Sequence, residues 1–556
     1  MLANDVRWRS LYACSSPFSS LAVSSFRPRW PMKPSTSAAI SPPSPGKLSD
    51  FGIANNMHMN GPEMIKYEIA REASVVDASS SAIPDGCEPV HLNLVARHGT
   101  RSPTKKRIKE LDGLAIRLEA LVTDAKQILE EDVLQKIPTW LWGWQSPWKG
   151  RGKGGELISK GEVELYQLGV RIRDRFPTLF GEEYHPDTYH IRATQVPRAS
   201  ASAVAFGMGM FSGKGSLGPG QHRAFSIVSE SRASDLHLRF YDTCETYKAP
   251  DSDIALFAAF CMQKYRKNKE PEVEKMKEPV IDQIVSSLIS RYHLNFTNQD
   301  VKSLWFLCKQ EASLLDITNQ ACSLFNPSEV SLLEWTDDLE VFMLKGYGES
   351  VNYRMGLPLL EDVVQSMEKT INSEKEMASG SPEKARLRFA HAETVVPFTC
   401  LLGLFLEESE FKQIQREQPL SLPPLPPSIR NWKGSMIAPF AGNNMLALYK
   451  CSGNTSKNIV SSGDQRAEYF VRVFHNEIAV PLPGCGQKDF CQFKDFKEKI
   501  VNPHLVHDFN SVCTIKMKLP ESESQPQKPC SFMCKLSNLL GRKTTKPVNE
   551  SQKNEL

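Results

Sequence analysis

The sequence predicts an α/β protein: a sheet with flanking helices and a long, mostly helical insertion. Three observations carry that prediction. PVHLNLVA at 89–96 is a short apolar run rich in Val and Leu, the pattern of a buried strand, and it ends at Arg97-His98-Gly99. LRFAHAETVVPFTCLLGLF at 387–405 repeats the arrangement as a short strand, a histidine and an apolar helix. Between them, residues 245–380 are rich in charge and read as largely helical. Reactive groups at the C-terminal ends of strands lie where open α/β sheets place their ligand crevice, so the insertion is expected to cap that edge.

The remaining elements follow in order. Residues 108–135 read as a helix, with Leu111, Leu114, Ile116, Leu118, Leu121 and Val122 near a 3.6-residue period. GGELISKGEVELYQLGVRIRDRF (154–176) reads as a second helix after a glycine start. HIRATQVPRASASAVAFGMGMF (190–211) reads as a strand, a turn around Pro197 and a helix of small residues. GYGESVNYRMGLPLLEDVVQSMEK (346–369) is amphipathic, and SLPPLPPS (421–428) is a proline-rich loop. MIAPFAGNNMLALYKC and YFVRVFHNEIAVPLPGC read as two further strands. No repeat at solenoid periods is present. Residues 1–75 read as a disordered leader or targeting segment, 76–515 as the folded domain with its cap mainly from about 215 to 380, and 516–556 as a polar tail.

The net charge of the 556 residues is only +3, so no global field draws nucleic acid or a membrane surface, and no run is apolar and long enough to span a bilayer. Anion binding must come from a local cluster, and RHGTRSP (97–103) is one. A phosphate monoester dianion needs several cations, and planar guanidinium groups match its oxygens in pairs. Arg97 and Arg101 supply two. The same arginines disfavour the imidazolium of His98, which a histidine nucleophile requires. Gly99 is expected to let the backbone approach the anion, and Pro103 to fix the turn leaving the site.

Five specified residues in seven positions, R-H-G-x-R-x-P, resemble the signature of the histidine acid phosphatases, the branch of the histidine phosphatase superfamily that includes phytases. The resemblance covers roughly residues 85–515. It implies a phosphoglycerate-mutase-like sheet with flanking helices plus an inserted α-helical cap domain. It also implies hydrolysis through a phosphohistidine, without metal or organic cofactor. Arg198 in PRASASAVAF resembles the third phosphate-binding arginine, and His391 the second histidine. Most of the family follows that histidine directly with Asp; His391-Ala392-Glu393 is similar instead to the multiple inositol polyphosphate phosphatases, as are YDTCETYK (241–248) and GYGESVNYRMG (346–356). The roles implied are His98 as nucleophile, Arg97, Arg101, Arg198 and His391 as phosphate ligands, and Glu393 as general acid and base. Thr104 and Lys105 resemble residues with which phytases hold further phosphates. The implied substrates are inositol polyphosphates such as the hexakisphosphate. The alternatives are 2,3-bisphosphoglycerate or broad small monoesters, and a non-catalytic inositol phosphate binding protein.

Other motifs absorb less. GRGKGGE (150–156) and GKGSLGPG (213–220) do not fit a nucleotide-binding loop and read as flexible surface loops. WLWGW (140–144) reads as packing under the cap, and His237, His475 and His504 as structural. Twelve of the 13 cysteines lie beyond the leader, which favours an oxidising compartment. Cys87 is expected to staple the first strand to Cys451, and Cys485 to pair with Cys491; the rest of the connectivity stays open. Cys400 is expected to remain reduced in the core, and Cys530 and Cys534 to form a disulfide or stay free rather than bind zinc. Sequons stand at Asn295, Asn454 and Asn549. The closing SQKNEL is close to a lumenal retention address, for which a retention receptor is the expected partner. The Ser- and Arg-rich leader instead fits a plastid or other organelle. The endoplasmic reticulum lumen or secretion is the leading expectation, and a true boundary near Met57, Met59 or Met64 would reconcile the two ends.

Overall fold

A computed structural model describes residues 83–247, 265–375 and 382–514, apart from 417, 419, 427–429, 453–466 and 487. The leader, the polar tail with its retention-like end, Cys530, Cys534 and the sequons at Asn454 and Asn549 lie outside the described residues.

Seven strands form one mixed sheet: β1 (Cys87–Arg97), β2 (Tyr189–Ala193), β3 (Ala385–Ala390), β4 (Asn443–Cys451), β5 (Glu468–His475), β6 (Ile478–Val480) and β7 (Phe490–Gln492). Their order is β2-β3-β1-β4-β5-β6, with β7 also on β5. β2, β3 and β1 run parallel, and β4 onward is antiparallel. The three parallel strands therefore end at one edge of the sheet. The reading of YFVRVFHNEIAVPLPGC as a single strand is corrected. Asn476 and Glu477 take positive φ (48° and 70°) and turn the chain into a hairpin of β5 and β6. A two-residue turn with both φ positive matches the twist of the strands it joins. The Asn476 amide is fixed there by donating to the Met436 carbonyl.

The principal helices are α1 (Lys105–Ile128), α2 (Ser159–Arg175), α3 (Pro197–Met210), α4 (Tyr265–Tyr292), α5 (Asn298–Gln310), α6 (Pro327–Lys345), α7 (Leu357–Lys375) and α8 (Ala392–Leu401). α1 starts three residues earlier than its periodicity indicates and stops at Leu129, which is extended. α2 starts five residues later than expected, because Gly154 and Gly155 belong to a loop packed on the signature. Pro327 at the first helical position and a capping box between Asn326 and Glu329 set the start of α6.

Side chains of β1 alternate between two cores. Leu92, Leu94 and Ala96 pack with Leu165, Leu168 and Ile172 of α2 and Phe206 of α3. Val95 faces the other core, built largely by α1, the cap helices and α8. On that face β1 also carries polar groups: His91 and Asn93 bond to Ser366 of α7, and burial lowers His91 to about 4, so it is neutral. Arg388 of β3, fully buried, donates to Asp362 of α7 and to Asn93. This polar layer ties a helix of the insertion to the sheet.

Four disulfides are present among the described residues: Cys87–Cys451 and Cys485–Cys491, as expected, with Cys244–Cys513 and Cys308–Cys322 in addition. Cys400 is free and buried. Trp140 and Trp144 meet edge to face, half-buried against the helical core. No helix among the described residues is long and apolar enough to cross a membrane.

Candidate active site

Arg97, His98, Arg198 and His391 lie at the shared edge of the parallel strands. The signature leaves β1 at Arg97, where His98 N–H donates to Ala390 at the end of β3 and Ala441 N–H donates back to the His98 carbonyl. Thr194 follows β2, and its N–H donates to Phe389 of β3. Arg198 lies in the first turn of α3, and His391 is the N-cap of α8, directly after β3.

The two histidine rings face each other edge to face, 5.3 Å between centroids. His98 Nδ1–H donates to the Gly99 carbonyl at 2.9 Å, which fixes the tautomer and leaves Nε2 with its lone pair. Burial, then Arg97, His391 and Arg198, hold the His98 imidazole well below its ordinary range, so it is neutral. His391 is crowded on both nitrogens: Arg198 approaches Nδ1 at 3.4 Å, while Thr194 Oγ1 (2.9 Å) and Arg239 (3.2 Å) approach Nε2. Burial and those guanidinium groups lower it to about 3.

Arg97 stacks on Phe440, its guanidinium carbon 4.3 Å from the ring centroid, and donates to the Ala438 carbonyl. Arg101 lies 6.0 Å from the same ring and donates to the Ser102 carbonyl. Burial lowers Arg97 and Arg101 to about 10, with Arg101 and Arg198 adding to it at Arg97 and Arg198 at Arg101, which leaves both charged at neutral pH. Arg97, Arg101 and Arg198 each keep a buried Nε without a hydrogen-bond partner among the described residues. Buried cations with unmet donors are costly unless an anion joins them, and a tetrahedral dianion supplies that charge and those acceptors.

Glu393, at the second position of α8, forms an ion pair with Lys345 at the end of α6 (3.2 Å). Burial pushes its carboxyl up, but Lys345, His391 and Arg97 outweigh that and hold it far below the usual carboxylate range. Thr104 is half-buried at the start of α1, and Lys105 is exposed beside it; neither forms a hydrogen bond to His98 or His391.

Gly99 also meets a packing demand that the local motif does not reveal. A Cβ there would lie 2.3 Å from the Gly161 carbonyl oxygen, and one at Gly161 would lie 2.2 Å from the Thr100 carbonyl oxygen. The two glycines let α2 pack backbone to backbone against the signature. Glu164, one turn on, accepts from Thr100 N–H (2.8 Å) and Thr100 Oγ1 (2.6 Å). GRGKGGE is an exposed surface loop over 150–153, as expected, but its end packs on the signature. Ser102 Oγ accepts from Gly155 and Glu156 N–H and donates to the Glu156 carboxylate, and a Cβ at Gly154 would lie 2.4 Å from the Pro103 carbonyl oxygen.

Sequence reasoning missed Arg239, Lys345, Phe440, Thr194 and Glu164. Arg239 is buried and held by Asp242 three residues on. The R-x-x-D spacing in RFYD, which puts both side chains on one side of a helical turn, was a legible signal. His237 lies near Glu230 and Asp235, but Glu230 is already paired with Arg192. His475 bonds Asn444, and His504 bonds the Leu401 carbonyl.

A sequence profile of the histidine phosphatase superfamily (branch 2) matches residues 90–476. Among curated proteins, the chain is 27% identical to multiple inositol polyphosphate phosphatase 1 of Dictyostelium discoideum, over 78% of this chain and 70% of that protein. It is also 27% identical to the protein of the same name from Gallus gallus, over 72% of this chain and 79% of that one. Among solved structures, the multiple inositol polyphosphate phosphatase of Bifidobacterium longum in complex with phosphate superposes with a TM-score of 0.51 and 17% identity. That match covers 79% of this chain and 96% of that chain, and it shows the shared fold.

Proposed function

Since the chain belongs to the histidine phosphatase superfamily (branch 2), we propose that it hydrolyses phosphate monoesters of inositol polyphosphates, such as inositol hexakisphosphate, through a phosphohistidine on His98. The observation that carries this reading is the neutral His98 ring facing His391 inside a ring of guanidinium groups with unmet donors.

His98 Nε2 attacks phosphorus in line, forming the P–N bond as the P–O bond to the inositol oxygen breaks. Arg97, Arg101 and Arg198 hold the equatorial oxygens and offset the charge that grows on them, and His391 donates a hydrogen bond to the same group. Glu393 gives its proton to the leaving alkoxide. As carboxylate it then takes a proton from the water that cleaves the P–N bond and releases inorganic phosphate. Arg239 joins this set by holding His391 from the far side.

A polyphosphorylated substrate is favoured over a simple monoester by the start of α1. Lys105, Lys106 and Arg107 occupy its first turn, with no acidic residue there. Cations at a helix N-terminus oppose the helix dipole, and such a local conflict is a mark of a functional surface. Thr104 and Lys105 are the proposed contacts for neighbouring phosphates. The disulfides support an oxidising compartment, for which the endoplasmic reticulum lumen or secretion is proposed, with the retention receptor as partner of the C-terminus. Exposed Asn295 is the proposed glycosylation site among the described residues.

Two measurements test the reading. Purified protein should release phosphate from inositol hexakisphosphate without added metal. Brief incubation with ³²P-labelled substrate, quenched in alkali to preserve phosphohistidine, should label the wild type and not His98→Ala. Label that persists in His98→Ala would end the proposal.

A further inference from the structure

Lys345 is absorbed by no step above, yet it touches Glu393 directly. It is the last residue of α6, where the helix carbonyls favour a cation, and Glu393 lies in the first turn of α8, where the free N–H groups favour an anion. Two helix ends thus meet through a pair that each end stabilises. Lys345 belongs to the insertion and Glu393 to the sheet edge. Around Glu393 the other titratable groups are Arg97, Arg101, Arg198, the neutral His391 and Tyr241, and Lys345 also acts on Glu340, itself bonded to Lys277.

This arrangement creates a difficulty for a general acid. A carboxyl surrounded by cations keeps no proton to give. The scissile phosphate offsets the arginines, but Lys345 remains. We propose that Lys345 makes proton donation by Glu393 depend on a second phosphate group of the substrate, whose charge draws the ammonium off the carboxylate. Lys345 is then a specificity-determining positioning residue. A polyphosphorylated ring carries its own release for the acid, and a simple alkyl monophosphate does not. The proposal rests on the reading of Glu393 as general acid.

The test compares wild type, Lys345→Gln and Lys345→Arg on three substrates across pH: inositol hexakisphosphate, glycerol 2-phosphate and p-nitrophenyl phosphate. With Lys345→Gln, the ratio of kcat/KM for glycerol 2-phosphate to that for the hexakisphosphate is expected to rise about tenfold or more. The alkaline limb of the glycerol 2-phosphate profile should move to higher pH. Lys345→Arg should resemble the wild type in both. p-Nitrophenyl phosphate needs little protonation, so its profile should move least. An unchanged ratio and limb in Lys345→Gln overturn the proposal, as does an Arg variant that behaves like the Gln variant. Glu393→Gln separates the two layers. If it leaves inositol hexakisphosphate turnover intact, the acid role itself falls and this inference with it; if it slows that turnover while Lys345→Gln changes nothing, only the Lys345 inference falls.

Discussion

At His98 the bond from Nδ1–H to the Gly99 carbonyl decides which nitrogen is free, and burial with two guanidinium groups decides that it carries no proton. A histidine whose folded pKa is lowered stays neutral as pH falls through the 6.5 of a free imidazole. ¹⁵N-imidazole NMR of the free protein should therefore find Nε2 of His98 still unprotonated as the pH falls through 6.5; titration near 6.5 would contradict the electrostatics of the site. Among the described residues Arg198 forms no ion pair within 4 Å of a carboxylate and is proposed to stabilise the transition state, so Arg198→Ala should cost about 10²–10³ in kcat/KM with an unchanged melting temperature. At this scale the sequence was most legible where the site is contiguous: Arg97, His98 and Arg101 fall within five positions. Lys345 was hidden because its meaning arises only where the ends of α6 and α8 meet, 48 residues apart in numbering but 3.2 Å apart in space. Gly99 was legible as a glycine that matters, but its packing role was not, because its neighbour is Gly161 on another element.

At the scale of elements, α2 is held on the signature by the Gly99–Gly161 contact and by Glu164 on Thr100. Gly161→Ala forces its Cβ onto the Thr100 carbonyl and should cost about 1–3 kcal/mol by denaturant titration, with kcat falling too because the signature must shift. The clamp between β3 and α7 behaves differently. Burial raises the Asp362 carboxyl, but Arg388 and Arg386 outweigh that and bring it to about 2. An unfolded aspartate titrates near 3.9, so the stabilisation is complete above about pH 4 and is lost as pH falls toward 2. Asp362→Asn leaves Arg388 buried without its anion and should destabilise the protein by about 3–5 kcal/mol at neutral pH. Strands and helices whose apolar pattern reports a buried face, such as β1, β3 and α3, were readable along the chain. The β5–β6 hairpin was not, because Asn476-Glu477 is an uncommon turn pair made tolerable by its contact with Met436.

For the whole molecule, chain order and spatial order part company. Cys244–Cys513 joins the region after α3 to the last described helix (Phe509–Cys513), and Cys244 follows Asp242, which holds Arg239 against His391. Replacing both cysteines by Ser should lower stability by about 2–5 kcal/mol. Phosphate turnover below the melting transition should also weaken, as the Arg239 turn loses its tether; a double variant with wild-type kcat/KM would show the tether to be purely structural. Two of the four pairs were beyond sequence reasoning because connectivity depends on which loops the fold brings together, which spacing does not encode.

The three parallel strands deliver His98, the guanidinium groups around it, His391 and Glu393 to one rim from segments separated by hundreds of residues. No proteolytic piece and no half-assembled intermediate owns the machinery, since every sub-assembly lacks at least one strand end. Catalytic output accordingly counts native molecules one by one. For the unaltered chain, specific activity is expected to track the fraction of molecules in which all three strand ends have met.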